Sequence, residues 1–310
     1  MSERVNESEA AAQIPARGKL NLDHIAHFVP QIDAAGAALE KLGFALTPFS
    51  AQSHRLQPEG PLVAAGTGNR CVMLRHGYLE FLTPTADTPV ANQLRAAIMR
   101  YVGVHLIAFG TAAPDLDHAR LAKGGFDPLA PVALQRQITT ENGEDTARFT
   151  VVRVAPGSMA EGRIQFVQQH TPHLLWQARW LAHPNRATGL AGVVICTADP
   201  QETARRYANF SGLQPQAAGQ AWRLDTARGY LLFADTDTLK RHLGVAPPAL
   251  PWIAGYVLQS SDIEASGDYL RGASFEGDVL DGRRLLVKLP AALGGVIIFE
   301  PPESGALFFD

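Results

Sequence analysis

The feature that most constrains this chain is a recurrence. An apolar strand, a helix, a turn built on glycine or phenylalanine, and further strands follow one another in the same order four times. The opening strands are "DHIAHFV" (Asp23–Val29), "VHLIAFG" (Val104–Gly110), "AGVVICT" (Ala191–Thr197) and "AGYVLQS" (Ala254–Ser260). Helical stretches follow and end at Phe44, Phe126, Leu213 and Phe275. An Asp or Ser near each start is able to cap the helix, and a Gly near each end suits a left-handed terminal residue. Each unit closes on a short strand after glycine: "GYLEF" (Gly77–Phe81), "GRIQF" (Gly162–Phe166), "GYLLF" (Gly229–Phe233) and "GVIIF" (Gly295–Phe299). Between helix and closing strand lie β-branched runs such as "TARFTVVRVAP" and "RRLLVKLP", which read as middle strands. A lone β-α-β-β-β unit leaves one sheet face bare, so the units are expected to pair. The predicted fold is α+β: four βαβββ modules paired into two curved-sheet half-barrels.

Length and composition fit that reading. The chain has 310 residues, 46% of them hydrophobic, enough for two ordinary cores. The predicted organisation is a disordered lead over 1–19, one module pair over 20–172, an aromatic and histidine-rich connection over 173–189, and a second pair over 190–310. A net charge of −3 with scattered basic residues argues against nucleic acid as a partner. No apolar run approaches a membrane span, and the N-terminus lacks the apolar segment of a signal peptide. The two cysteines, Cys71 and Cys196, sit in strand-like runs and suggest neither a disulfide framework nor a cysteine metal site. The expected setting is cytoplasmic, as monomer or homodimer, with a small-molecule substrate.

"LDHIAHFV" (Leu22–Val29), "GTGNR" (Gly66–Arg70), "GYLEF" and "HTPHLLW…HPN" (His170–Asn185) together resemble the vicinal oxygen chelate superfamily, the fold of glyoxalases, bleomycin-resistance proteins and extradiol dioxygenases, and more narrowly its glyoxalase-like branch. The resemblance implies that paired sheets form a trough with one divalent metal inside, Zn, Ni, Mn or Fe(II). It places the ligands at one position of the opening strand and one of the closing strand. Lining up the units puts His24, His105, Gly192 and Gly255 at the first, and Glu80, Gln165, Leu232 and Ile298 at the second. The resemblance thus implies His24, Glu80, His105 and Gln165 as metal ligands in the first pair, and none in the second. Imidazole and carboxylate suit these metals. Gln165 cannot accept a proton, which leaves Glu80 as the base or requires another.

One histidine in an apolar strand is more often structural than ligating; the joint pattern across units singles out His24. Strand alternation puts His27 on the opposite face, packed between sheet and helix. His54, Arg55, Asn69 and Arg70 are candidates for substrate binding, an arginine in the trough being able to grip a carboxylate or phosphate; a surface arginine is the competing reading. The connection Gln168–Gly189 reads as a strap whose tryptophans bury against both sheets, with Trp176 and His183 as alternative substrate contacts and His170 as an alternative acid/base. "LKRH" and "VAPPALP" (Val245–Pro251) read as an exposed helix end and a linker. Neither a nucleotide-binding glycine loop nor a serine-hydrolase GxSxG elbow is present. Three functions follow: a metal-dependent lyase or isomerase acting as a Lewis acid on vicinal oxygens, an Fe(II) extradiol-type dioxygenase, or a protein that sequesters a small molecule.

Overall fold

The computed structural model describes residues 10–55, 62–280, 282–304 and 307, leaving out the side chains of 54, 55 and 62. Four successive segments each run strand, helix, three strands. The first comprises β1 (Leu20–Phe28), α1 (Ile32–Lys41), β2 (Ser50–Arg55), β3 (Leu62–Met73) and β4 (Tyr78–Pro84). After α2 (Pro89–Arg100), the second comprises β5 (Gly103–Thr111), α3 (Pro114–Lys123), β6 (Val132–Thr140), β7 (Gly143–Arg153) and β8 (Arg163–Gln169). A short α4 (Pro172–Leu175) and a 3₁₀ turn, Ala178–Trp180, lead to the third: β9 (Ala187–Cys196), α5 (Pro200–Ser211), β10 (Pro215–Ala218), β11 (Ala221–Asp225) and β12 (Tyr230–Ala234). After α6 (Thr236–Leu243) comes the fourth, with β13 (Trp252–Ser260), α7 (Ile263–Gly272), β14 (Gly277–Leu280), β15 (Arg284–Lys288) and β16 (Val296–Glu300).

In every segment the opening strand lies parallel to the closing strand, β1 to β4, β5 to β8, β9 to β12 and β13 to β16. Opening strands meet antiparallel in pairs, β1 with β5 and β9 with β13. Each half is therefore an eight-stranded sheet with two opening strands at its centre. A bridge between Ile253 and Val104 joins the halves. The helices α1, α3, α5 and α7 cover one face, where Leu39, Leu121, Phe210 and Leu270 enter the same core as Ile25, Ile107 and Ile253. The other face is the trough. In the N-terminal half its edge strands β2 and β6 approach within 8 Å, Cα to Cα, so the sheet curls nearly shut.

His27 faces away from the trough, as alternation predicts, but it packs at the joint between the halves rather than against a helix. Its ring stacks on Phe81 at 4.8 Å and meets Tyr256 edge-on at 5.5 Å, and its Nδ1–H donates to the Leu293 carbonyl at 3.0 Å. Burial pushes its pKa down to about 4, so the imidazole is neutral.

Two expectations need correction. Residues 10–15 are anchored at points within the expected lead: Gln13 donates to the Arg75 carbonyl and accepts from the Gly77 amide, and Ala10 and Pro15 are buried, while 16–19 are exposed. Residues 1–9 lie outside the described set. Side-chain caps occur only on the later helices among the four: Asp199 caps α5 and Asp262 caps α7, while α1 and α3 begin at Gln31 and Ala113 without one. The "LKRH" segment is the end of α6 with Lys240 and Arg241 exposed, as expected, while Leu239 and Leu243 of the same helix are buried.

Candidate functional site

Alternation fixes what faces the N-terminal trough. From β4 come Tyr78, Glu80 and Leu82; the register puts Met73, Cys71 and Asn69 of β3 beside them. From β8 come Arg163, Gln165 and Val167, with Arg153 and Val151 of β7 opposite Gln165 and Val167. Two apolar clusters bound this polar stretch. At one end α2 inserts Leu94 against Ala26, Phe28, Leu82 and Val167. At the other, the strap lays Trp176 against Tyr78, Met73 and Ala147.

The opening strands carry a device invisible in the sequence. Asp23 is an extra residue in β1 opposite β5, and His105 is an extra residue in β5 opposite β1. Ala191 and Ala254 are the corresponding extra residues in β9 and β13. A β-bulge adds one residue to a strand and re-aims its side chains. Counting from the parallel partners, His24 pairs with Tyr78, Leu106 with Arg163, Gly192 with Tyr230 and Gly255 with Val296. The expected equivalence of His24 with His105 is therefore off by one residue. Leu106 stands where His24 stands, and His105 occupies the bulge position shared with Asp23.

That shift separates the two histidines. The His24 ring stacks on Tyr78 at 4.3 Å, and its Nδ1–H donates to Asp23 Oδ1 at 2.6 Å. Asp23 also accepts from Gln169 Nε2 at 3.2 Å. The bond on Nδ1 orients the ring and leaves Nε2 without a hydrogen bond among the described residues. His105 is held elsewhere: its ring lies between Phe28 and Tyr101, at 5.3 and 4.0 Å, and its Nε2–H donates to the Tyr101 carbonyl at 2.8 Å. Burial pushes its pKa down to about 4.

Glu80 is oriented through one oxygen. Oε1 accepts from Asn69 Nδ2 at 2.5 Å and from Gln52 Nε2 at 3.4 Å; Gln52 in turn accepts from the Thr67 hydroxyl at 2.7 Å. No hydrogen bond to Oε2 is formed among the described residues. Gln165, at the matching place in the second segment, lies beside Arg153 and follows Arg163 by two residues. The residues that sequence reasoning missed are Arg136, Arg153, Arg163, Tyr78, Asp23, Gln52 and Gln169. Arg163 and Gln165 share the period-two face of "GRIQF", which was the signal available for the arginine.

The other candidates are dispersed. Asn69 is in the trough, on Glu80. Arg70 points to the helix side, donating from Nε to the Thr47 carbonyl at 3.1 Å and lying 3.5 Å from Glu40. His170 is exposed, 2.8 Å from the Thr150 hydroxyl at the end of β8. His183 accepts from the Ala45 amide at 3.0 Å and donates to the Met73 carbonyl at 2.8 Å, so both ring nitrogens are spent on backbone. Trp176 is fully buried, with Nε1–H on the Leu74 carbonyl at 3.0 Å. Trp176 and His183 thus pin the N-terminal sheet, while the Asn185 and Arg186 carbonyls accept from Ser266 and Ser261 of the C-terminal half. The side chains of His54 and Arg55 lie outside the described residues.

The C-terminal trough has the same frame without a carboxylate at the Glu80 place, and its charged groups are paired with one another, Arg284 with Glu300 at 2.9 Å and Arg223 with Asp225 at 2.6 Å. Leu232 and Ile298 replace Glu80 and Gln165, and α6 plugs the space with Leu239 and Leu243. Glycine at 192 and 255 has a steric reason. A Cβ on Gly192 would meet the Tyr230 ring at 2.6 Å, and one on Gly255 would meet the Val296 carbonyl at 2.0 Å.

Comparison with known proteins agrees with this architecture. The family model described as "Glyoxalase-like domain" matches residues 22–210. No curated protein matches the chain in sequence. Among solved structures, a hypothetical protein from Staphylococcus aureus aligns with a TM-score of 0.61 at 12% identity, covering 91% of this chain and 99% of its own. A triple mutant of 4-hydroxymandelate synthase from Streptomyces coelicolor aligns with a TM-score of 0.53 at 16% identity, covering 94% of each chain. The Mn(II)-bound glyoxalase from Novosphingobium aromaticivorans aligns with a TM-score of 0.53 at 10% identity, covering 94% of this chain and 84% of its own. At such identities the likeness is one of fold.

The Mn(II) bound in one of these structures raises the question of fit here. Among the described residues no three of His, Cys, Asp or Glu are grouped to hold a metal ion. The cause is local: the bulge and the Tyr101 carbonyl hold His105 away from His24 and Glu80 as a third donor. The described donor set does not fit a divalent metal.

Proposed function

The chain belongs to the glyoxalase-like domain family, and from that premise we propose that it is an enzyme of the lyase or isomerase kind, acting in its N-terminal trough on a small molecule with vicinal oxygens. The observation that supports this most is Glu80, a carboxylate held by Asn69 and Gln52 through Oε1 with Oε2 left over, in a trough whose opposite wall is basic. A general base needs a fixed direction and a free lone pair, and this arrangement supplies both. Glu80 Oε2 takes the proton from the carbon beside a carbonyl. The bonding electrons move to the carbonyl oxygen, and the same carboxyl returns the proton to a neighbouring atom. Negative charge developing on oxygen is favoured by Arg163, whose charge already interacts with Glu80, and by the exclusion of bulk water from the curled sheet. No step is routed through a metal, because the described ligands do not converge.

The test is deuterium incorporation from solvent, followed by NMR, into a panel of small hydroxy-ketones and oxo-acids. Wild type is expected to exchange at least one compound, and Glu80→Gln is expected to slow this by about 10²-fold or more with an unchanged melting temperature. Equal exchange by the two proteins, or none by wild type across the panel, contradicts the proposal.

A further inference from the structure

Three arginines face the N-terminal trough: Arg136 on β6, Arg153 on β7 and Arg163 on β8. They share a face with Gln165 and stand across from Glu80. Their ionic neighbourhood is unbalanced. Arg153 and Arg163 form no ion pair or side-chain hydrogen bond among the described residues. The Nε atoms of Arg136 and Arg153 are buried without a hydrogen-bond partner. Arg163 lies over the Phe28 ring at 5.8 Å and interacts electrostatically with Glu80 and, unfavourably, with Arg153. The carboxylates here are Glu80 and Asp23, and Asp23 is engaged by His24 and Gln169. Two close, half-buried guanidiniums without an ion-pair partner, one of them with an orphaned Nε, cost stability, since charge removed from water without a partner is expensive. Burial, with Arg153 as the second cause, accordingly lowers the pKa of Arg163 from its ordinary value, although the group stays charged at neutral pH.

The pair is specific to one segment: the third segment has Arg223 at the Arg153 place, but there Asp225 pairs with it at 2.6 Å. Arg163 and Arg153 stand where the first segment has Tyr78 and Cys71, beside Gln165 and Glu80 respectively. The C-terminal segments place Tyr230 and Val296 at the Arg163 position. One wall of the trough therefore carries the proton acceptor and the other carries uncompensated cations.

We propose that Arg153 and Arg163 form a binding subsite for an oxyanion, the carboxylate or phosphate group of the molecule on which Glu80 acts. The proposal rests on the function given above and deepens it. A planar guanidinium offers paired N–H donors matched to such a group, and the orphaned donors are satisfied when it binds. The anion fixes the substrate against β7 and β8 and presents its reactive carbon to Glu80 across the trough.

The probes are inorganic phosphate and malonate, titrated calorimetrically into the full chain at constant ionic strength. Wild type is expected to bind at least one of them, and comparing the two distinguishes phosphate from carboxylate. Arg153→Gln and Arg163→Gln are each expected to weaken binding by about tenfold or more. Each is also expected to leave the anion-free melting temperature unchanged or raised, because an unpaired buried charge is removed. Arg163→Lys, which keeps the charge and loses the planar fork, is expected to fall between them and guards against a misfolded variant. Glu80→Gln is expected to bind the anion as tightly as wild type or more tightly. If Glu80→Gln abolishes deuterium exchange while neither anion binds, this subsite is wrong and the function stands. If the arginine variants lose anion binding while Glu80→Gln exchanges normally, the reverse holds. Binding that is equal in wild type and both arginine variants marks a surface ion only and overturns the subsite.

Discussion

The two halves of this molecule share a frame and differ in what fills it. Each sets two bulged opening strands back to back and flanks them with closing strands in the same parallel register. In the N-terminal half the bulge residues are Asp23 and His105, the next position holds His24 and Leu106, and the closing strands supply Glu80 and Gln165. In the C-terminal half the same places hold Ala191 and Ala254, Gly192 and Gly255, Leu232 and Ile298. The first trough contains buried polar groups that need partners. The second is filled by α6 and aliphatic side chains, and its charges are paired, Arg284 with Glu300 and Arg223 with Asp225. The difference teaches that backbone and chemistry are separable here: the bulged frame survives without reactive side chains, so the frame alone does not mark a site.

Exchanging the contents of the troughs gives the largest expected effect. Leu232→Glu puts a carboxylate into a fully buried apolar position and should cost about 3 kcal/mol or more in chemical denaturation. Glu80→Gln, at the matching place, should change stability by less than about 1 kcal/mol, because the amide oxygen can still accept from Asn69. Similar losses from the two would erase the contrast.

Acid should act on the halves unequally. His27 and His105 are both pushed from 6.5 to about 4, chiefly by burial. The fold therefore favours their neutral forms. Their stabilisation is complete above pH 6.5 and is lost as the pH falls from 6.5 towards 4, by on the order of 3 kcal/mol for each at most. Residues 190–310 contain one histidine, His242, against nine before them. Hydrogen exchange at pH 5 against pH 7 should show β1 and β5 losing protection before β10 to β12. Uniform loss through both sheets would contradict this.

The helix ends give the smallest effect. Asp199→Ala and Asp262→Ala, which remove caps from the C-terminal half, should each cost about 1 kcal/mol, and Ala113→Asp should stabilise α3 by a similar amount. An unchanged melting temperature in all three would remove capping as a difference between the halves.

The order of elements, the pairing of segments and the aliphatic residues Leu232 and Ile298 at the closing-strand place of the second trough were legible because they rest on strand alternation and on recurring glycines at 77, 162, 229 and 295. The place of His105 was not. A bulge inserts one residue without leaving a gap in the sequence, so equal spacing in two strands misaligned their faces by one. Arg153 and Arg163 were written in strands read correctly, yet an arginine on a strand face is usually solvated. Only the curling of β2 towards β6 turns that face into an interior. Gln13 was illegible for a similar reason, since its partners, Arg75 and Gly77, are distant in sequence and bind through backbone atoms.

The most direct test of the central claim, that the chemistry resides in the N-terminal trough alone, is the rate of solvent-deuterium incorporation measured side by side in wild type, Glu80→Gln and Leu232→Met. The account predicts a loss of about 10²-fold or more in Glu80→Gln and a wild-type rate in Leu232→Met, a volume-conserving change in the other trough. A wild-type rate in Glu80→Gln, or an equal loss in Leu232→Met, would contradict it.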